Sequence, residues 1–283
     1  MELPKIALPT NAFKRAIAAG EAQIGLWSSI PSNYTVEILA GAGFDWILLD
    51  TEHSPNDLES VLTQLQAAAA YETTSIVRVP WSDQVVIKRY LDAGAQSLLV
   101  PFVSTADEAR AAVSYTRYPP QGVRGVGGTT RATRFGRVRD YARHVQQELC
   151  VLVQVETKQG LDELEAICAV DGVDGVFIGP ADLHASLGYT GQTEHPDVLP
   201  VIDDAIRRIR AAGKAPGVLT PNRALARRWL DCGALFVAVG ADEPLKVADA
   251  AAAVVDDGVA AFGRDPRQIA AHGDVALFEA IEP

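Results

Sequence analysis

The chain has few cysteines, no apolar run long enough for a membrane, and no excess of basic residues. Its 283 residues include three cysteines, Cys150, Cys168 and Cys232, widely spaced and without a CxxC pair. That spacing excludes a disulfide framework and is read as reduced, buried thiols. No apolar stretch approaches the roughly 20 residues of a membrane-spanning helix. The opening Met-Glu-Leu-Pro-Lys leads into no apolar segment of the kind that signals secretion. A formal net charge of -11 lacks the clustered Lys and Arg that a phosphate backbone demands. The expectation is a soluble, cytoplasmic protein that partners neither nucleic acid nor membrane. An acidic chain can still hold an anion in a local basic pocket. Neither an internal repeat nor a low-complexity tract is present.

What is present is an alternation. Short apolar runs predict strands at Ile24–Trp27, Trp46–Asp50, Ser75–Val79, Ser97–Val100, Val151–Glu156, Gly175–Ile178, Ala215–Leu219 and Leu235–Val239. Most are continuous rather than alternating, as in parallel strands covered on both faces. Between them, amphipathic segments predict helices at Ser32–Ala42, Ser54–Ala70, Ser82–Ala93, Ala106–Ser114, Val138–Glu148, Leu161–Ala169, Val198–Ala212, Arg223–Cys232 and Glu243–Asp257. Ser32 can cap the first of these, Asn56 or Asp57 the second, and Gly94 ends the third. Eight strands and as many helices over about 240 residues is the count of an α/β (β/α)8 TIM barrel. An open doubly wound sheet is the competitor, but no GxGxxG follows the first strand. The expected organisation is one catalytic barrel over residues 1–262 and a tail over 263–283. One segment breaks the rhythm: Arg117–Arg137, rich in Gly, Pro, Thr and Arg, is a long loop of the kind that is functional or disordered.

In such barrels the C-terminal strand ends line the active site. Asp50, Glu52 and His53 end the second strand and Arg78 the third. Gln154 and Glu156 end the fifth, and Gly179, Pro180, Ala181 and Asp182 follow the sixth. Glu156 and Asp182 follow strongly apolar strands, where an unpaired carboxylate is costly. A hard divalent cation would pair them, and a salt bridge to Arg78 is the bland alternative. Spacing alone leaves both open. Arg78 can donate two hydrogen bonds to carboxylate-like oxygens, or be a structural arginine of the rim. His53 is the candidate general base. Of the other histidines, His184 stands closest to the candidate site, two residues from Asp182. The Gly179–Asp182 turn offers free amides at Ala181 and Asp182 to a carboxylate.

The runs GLWSS (Gly25–Ser29), AGAGFDWILLDTEHSPND (Ala40–Asp57), IVRVPW (Ile76–Trp81), IKRYLDAGAQSLLVPFV (Ile87–Val103), RYPPQGVRGVG (Arg117–Gly127), VLVQVET (Val151–Thr157), GVDGVFIGPADLHASLGY (Gly172–Tyr189), GKAPGVL (Gly213–Leu219) and GALFVAVG (Gly233–Gly240) resemble the HpcH/HpaI aldolase family. They occur in order, and the resemblance runs from about Gly25 to about Gly258, most of the chain.

The resemblance implies a metal-dependent carbon–carbon lyase that joins the enolate of pyruvate, hydroxypyruvate or a related 2-oxo acid to an aldehyde. It implies metal ligands at Glu156 and Asp182 for Mg2+, Mn2+ or Co2+, with Zn2+ also admissible. A base at His53 would be oriented by Asp92, and Arg78 would bind pyruvate. Gln154, Gly179, Ala181, Asp182, Trp27 and Leu219 complete the implied substrate site. Also implied is a homohexamer, a trimer of dimers with exchanged C-terminal helices. The stretch Gly127–Arg137 departs from the family with Thr129, Thr130, Arg131 and Arg134, and the tail beyond Gly263 is longer. Two other activities compete: aldol cleavage of a sugar-derived 2-oxo diacid, and transfer from phosphoenolpyruvate, whose phosphate only the arginines of Arg124–Arg137 could hold.

Overall fold

A computed structural model describes residues 6–242. The expected helix Glu243–Asp257, the tail from 263 to 283 and its exchange between subunits lie outside the described residues. In chain order the elements are α1 (Ala12–Ala19), β1 (Gln23–Ser28), α2 (Asn33–Ala40), β2 (Trp46–Asp50), α3 (Leu58–Ala68), β3 (Thr74–Arg78), α4 (Gln84–Ala93), β4 (Ser97–Val100) and α5 (Ala106–Thr116). There follow α6 (Tyr141–His144), β5 (Cys150–Val155), α7 (Lys158–Asp162), α8 (Leu164–Cys168), β6 (Gly175–Ile178), α9 (Pro180–Ser186), α10 (Leu199–Ala211), β7 (Ala215–Leu219), α11 (Arg223–Asp231) and β8 (Phe236–Ala241).

The eight strands close a barrel in chain order, each parallel to its neighbours, with β8 returning to β1. Strands β2, β4, β5 and β6 are buried at every position, which is why they read as unbroken apolar runs. The barrel interior is a packed core. Trp46, Phe236, Phe177 and Trp27 fill it, with Trp46 and Phe236 edge-on at 6.1 Å and Phe177 and Phe236 tilted at 6.0 Å. Gly25 and Gly217 make room for them, since a Cβ on either would run into the Trp46 or Phe236 ring.

Helix α1 was not expected from the sequence. It inserts Phe13, 1% exposed, against Trp46 and Phe236 at 6.1 and 5.8 Å and so stoppers the barrel from below. The opposite end is tied by Asp242, which accepts hydrogen bonds from Ser28 Oγ and the amides of Ser29 and Ile30.

Capping decides several helix starts. The side chains of Ser32, Asp57 and Asp83 accept first-turn amides of α2, α3 and α4, and Gly94 closes α4 at φ 104°, a left-handed angle costly for other residues. The expected helix over Val138–Glu148 forms only in part. It shrinks to α6 and one 3-10 turn (Val145–Gln147), preceded by Asp140 at φ 53° with no side-chain cap. The helix expected at Leu161–Ala169 is split into α7 and α8 around Glu163.

The 117–137 loop is pinned by its own arginines. Arg131 donates to the carbonyls of Ala93 and Leu65, closing the C-terminal ends of α4 and α3. Arg124 is fully buried, lies over the Tyr118 ring at 4.6 Å and donates to Asp92 Oδ1 at 2.7 Å. Arg137 donates to the Arg134 carbonyl and covers the Phe135 ring.

Candidate active site

The C-terminal ends of β2, β3, β5 and β6 bring six polar side chains to one mouth: Asp50, Glu52, Arg78, Gln154, Glu156 and Asp182. Arg78, the last residue of β3, is the fixed point. Its Nε donates to Asp50 Oδ1 at 2.8 Å and its Nη2 to Asp50 Oδ2 at 2.6 Å, a two-pronged pair across paired strands. Its Nη1 lies 2.9 Å from Glu52 Oε2, and its guanidinium carbon sits 4.8 Å over the Trp27 ring. Trp27 also donates to Asp50 at 3.3 Å and packs on Phe177. Burial opposes the charge of Asp50. The hydrogen bonds and charge of Arg78, with the Glu52 amide and Trp27, outweigh it and lower the Asp50 pKa.

The remaining acids behave oppositely. Glu156, the residue after β5, is 1% exposed. Its pKa is pushed from 4.5 to about 8, by burial first and then by the charges of Asp182 and Glu52, against the Phe102 amide and Arg78. Glu52 is also raised, by burial first and by the charges of Asp50 and Asp182, against Arg78 and His53. Three acids from three strand ends thus repel one another, with Glu156 buried and Glu52 and Asp182 half-buried. Phe102 donates its amide to Glu156 Oε1 at 3.0 Å from a left-handed backbone, φ 53°. Gln154 donates to Glu156 Oε2. The Glu52 Oε2 contact with Arg78 is an ion pair without hydrogen-bond alignment, so that oxygen and Gln154 Oε1 are buried with no hydrogen-bond partner.

This is a donor set that fits a cation. Charge repulsion would be relieved by a divalent ion, and the orphaned oxygens suit water or substrate groups around it. Gly179 leaves the needed space, because a Cβ there would collide with Glu156 Oε2 and lie 2.8 Å from Gln154 Nε2. Among the described residues no group of three or more His, Cys, Asp and Glu side chains forms a ligand set. Glu156 and Asp182 would therefore hold an ion as a pair, with oxygens from outside the protein completing its shell.

The other predicted residues are placed as follows. Ala181 is exposed in the first turn of α9 beside half-buried Asp182. Leu219, at the end of β7, packs on the aromatic core. His53 is exposed, its side chain 61% open, with Glu52 Oε1 at 3.8 Å from its Nε2. The expected pairing of His53 with Asp92 is not formed within the chain, where Asp92, on α4, is held instead by Arg124 of the 117–137 loop. The sequence marked Asp50 and Glu52 only as strand-end residues. Their joint grip on Arg78 depends on the β2–β3 register, which a one-dimensional reading lacks. The Phe102 amide carries no local signal at all.

A parallel (β/α)8 barrel with buried acids and an arginine at its C-terminal mouth has the architecture of a barrel enzyme. Residues 23–248 match the profile of the HpcH/HpaI aldolase/citrate lyase family, and the chain belongs to that family. It is 56% identical over 236 residues to a 4-hydroxy-2-oxo-heptane-1,7-dioate aldolase from Salmonella dublin, covering 83% of this chain and 90% of that one. It is 57% identical over 235 residues to a pyruvate aldolase from Rhizobium etli, covering 83% and 92%. The crystal structure of a family member from Burkholderia cenocepacia J2315 superposes with a TM-score of 0.80 at 42% identity, covering 82% of this chain and 93% of that one.

Proposed function

We propose that the chain is a class II pyruvate aldolase that cleaves or forms 4-hydroxy-2-oxo acids with a divalent metal held by Glu156 and Asp182. The observation that carries this is the buried Glu156, repelled by Asp182 and Glu52 beside a locked Arg78. Two named aldolases at more than half identity support it. When bound, the cation supplies Lewis acidity that polarises the 2-oxo acid and eases loss of a proton from its methyl group.

The chain's residues do the rest. The turn Gly179–Asp182 receives the substrate carboxylate, and Gln154 contacts the substrate beside Glu156. In the cleavage direction His53 takes the proton of the 4-hydroxyl group, the C3–C4 bond breaks, and the electron pair moves into the 2-oxo acid as its enolate. Arg78, held rigid by Asp50 and Glu52, stabilises that charge without having to reorganise. No lysine is needed for a Schiff base. Among the described residues no barrel strand carries one, and Lys214 donates to the Val173 carbonyl on the far side of the barrel. Transfer from phosphoenolpyruvate has less support, because three of the four arginines in 124–137, Arg124, Arg131 and Arg137, are committed to internal partners.

The same reading makes residues 1–262 one catalytic barrel and the assembly a cytoplasmic homohexamer in which His53 and Asp92 act together. No helix among the described residues is long and apolar enough to cross a membrane. The preferred substrate is 4-hydroxy-2-oxoheptane-1,7-dioate, with 2-dehydro-3-deoxyglucarate as the alternative, decided by comparing kcat/KM on the two. The direct test is removal of the ion. Chelation by EDTA, Glu156→Ala and Asp182→Ala should each abolish aldol cleavage, and Mn2+ should restore only the chelated wild type. Cleavage that survives all three would overturn the assignment.

A further inference from the structure

We propose that His184 is a positioning residue: as a neutral Nδ1–H imidazole it locks the first turn of α9 to the 188–197 loop and so fixes where Asp182 presents its carboxylate. The inference rests on the metal-binding reading of Asp182. His184 is fully buried. Its Nδ1 lies 2.6 Å from the Pro180 carbonyl oxygen, which can only accept, so Nδ1 carries the hydrogen. Its Nε2 lies 3.1 Å from the His195 amide, which can only donate, so Nε2 carries the lone pair. Both ring nitrogens are satisfied by one tautomer, and both partners are main chain.

The two ends of this link differ in kind. Pro180 is the first residue of α9, two before Asp182. His195 belongs to a closed surface unit. Its ring stacks on Tyr189 at 3.9 Å, Tyr189 Oη donates to Asp197 at 2.9 Å, and the Asp197 amide donates to His195 Nδ1 at 3.2 Å. Tyr189 returns its amide to the His184 carbonyl at 2.8 Å. The loop is tied onward to the start of α11, where Asn222 Nδ2 donates to Glu194 at 3.1 Å. A side chain that only filled space would need no such oriented pair of bonds. A group hydrogen-bonded directly to a metal ligand commonly accounts for about 10–100-fold in metal affinity, and His184 acts one step further back, through the backbone turn that carries Asp182.

The test combines 15N NMR of the histidine rings with Mn2+ titration of the metal-stripped protein. At neutral pH the resonance that disappears in His184→Asn should show the neutral Nδ1–H pattern. His184→Phe, similar in bulk but without hydrogen bonds, should weaken Mn2+ binding about tenfold or more. His184→Asn, whose amide can still donate to Pro180, should recover most of that loss. If the phenylalanine variant does not fold, His184→Leu replaces it. A charged or Nε2–H imidazole, wild-type Mn2+ affinity in the phenylalanine or leucine variant, or an asparagine variant no better than these would each overturn the proposal. A wild type that takes up no Mn2+ would instead overturn the role of Asp182, and the NMR result would still judge the lock.

Discussion

At the scale of single residues, the site separates two kinds of acid by their neighbours. Asp50 is charged because Arg78 grips it, whereas Glu156 is held towards its neutral form by burial and by Asp182 and Glu52. A carboxyl whose folded pKa is raised binds its proton more tightly folded than unfolded. Its contribution to stability is therefore complete below its unfolded pKa of 4.5 and is lost as pH rises through about 8. The metal-free protein should thus lose resistance to urea between about pH 5 and about pH 8, and Mn2+ should restore it at the upper end. Glu156→Gln should flatten that slope, and equal slopes in the two proteins would rule Glu156 out as its source. His53 is exposed and carries no structural burden, so His53→Ala should fold normally and lose about 10²–10⁴-fold in kcat. An unchanged kcat would remove it from the base role.

At the scale of elements, the turn from β6 into α9 is built around an absent side chain. Gly179 has an ordinary backbone conformation, φ -86° and ψ 100°, so alanine is tolerated by the backbone. Its Cβ would nevertheless press on Glu156 and Gln154. Gly179→Ala should leave the circular dichroism spectrum unchanged while weakening Mn2+ binding about tenfold or more, the scale of disturbed ligand orientation. Retained Mn2+ affinity would show that the space is not needed. The basic loop shows the converse. Its arginines are the phosphate candidates that a phosphoenolpyruvate activity would need, yet Arg131 and Arg124 act as struts that bind helix-end carbonyls and Asp92.

For the whole molecule, closure sets the architecture. Among the described residues every barrel strand has two neighbours, so the barrel leaves no open edge. Phe13 closes the lower end, although α1 lies outside the repeating strand–helix unit. Phe13→Ala should destabilise the protein by about 3–5 kcal/mol, read as a lower urea midpoint, because the barrel wall cannot collapse into the cavity. A loss below about 1 kcal/mol would mean that α1 is only loosely docked.

The sequence by itself determined the strands and most helices, since a strand covered on both faces must be apolar throughout and helix starts carry Ser or Asp caps. It also marked the strand-end acids, because a carboxylate after an apolar run has few physical explanations. It misjudged 138–148, where apolar spacing suggested a helix that an uncapped start at Asp140 did not extend. It did not predict α1, whose role exists only once the barrel has an open end to fill. What only the tertiary structure decided was partnership: Arg78 with Asp50 and Glu52, Asp92 with Arg124, His184 with Pro180 and His195. Such pairs join residues across strand register and loop path, and their energies depend on distance and burial, neither of which is written in the order of the residues.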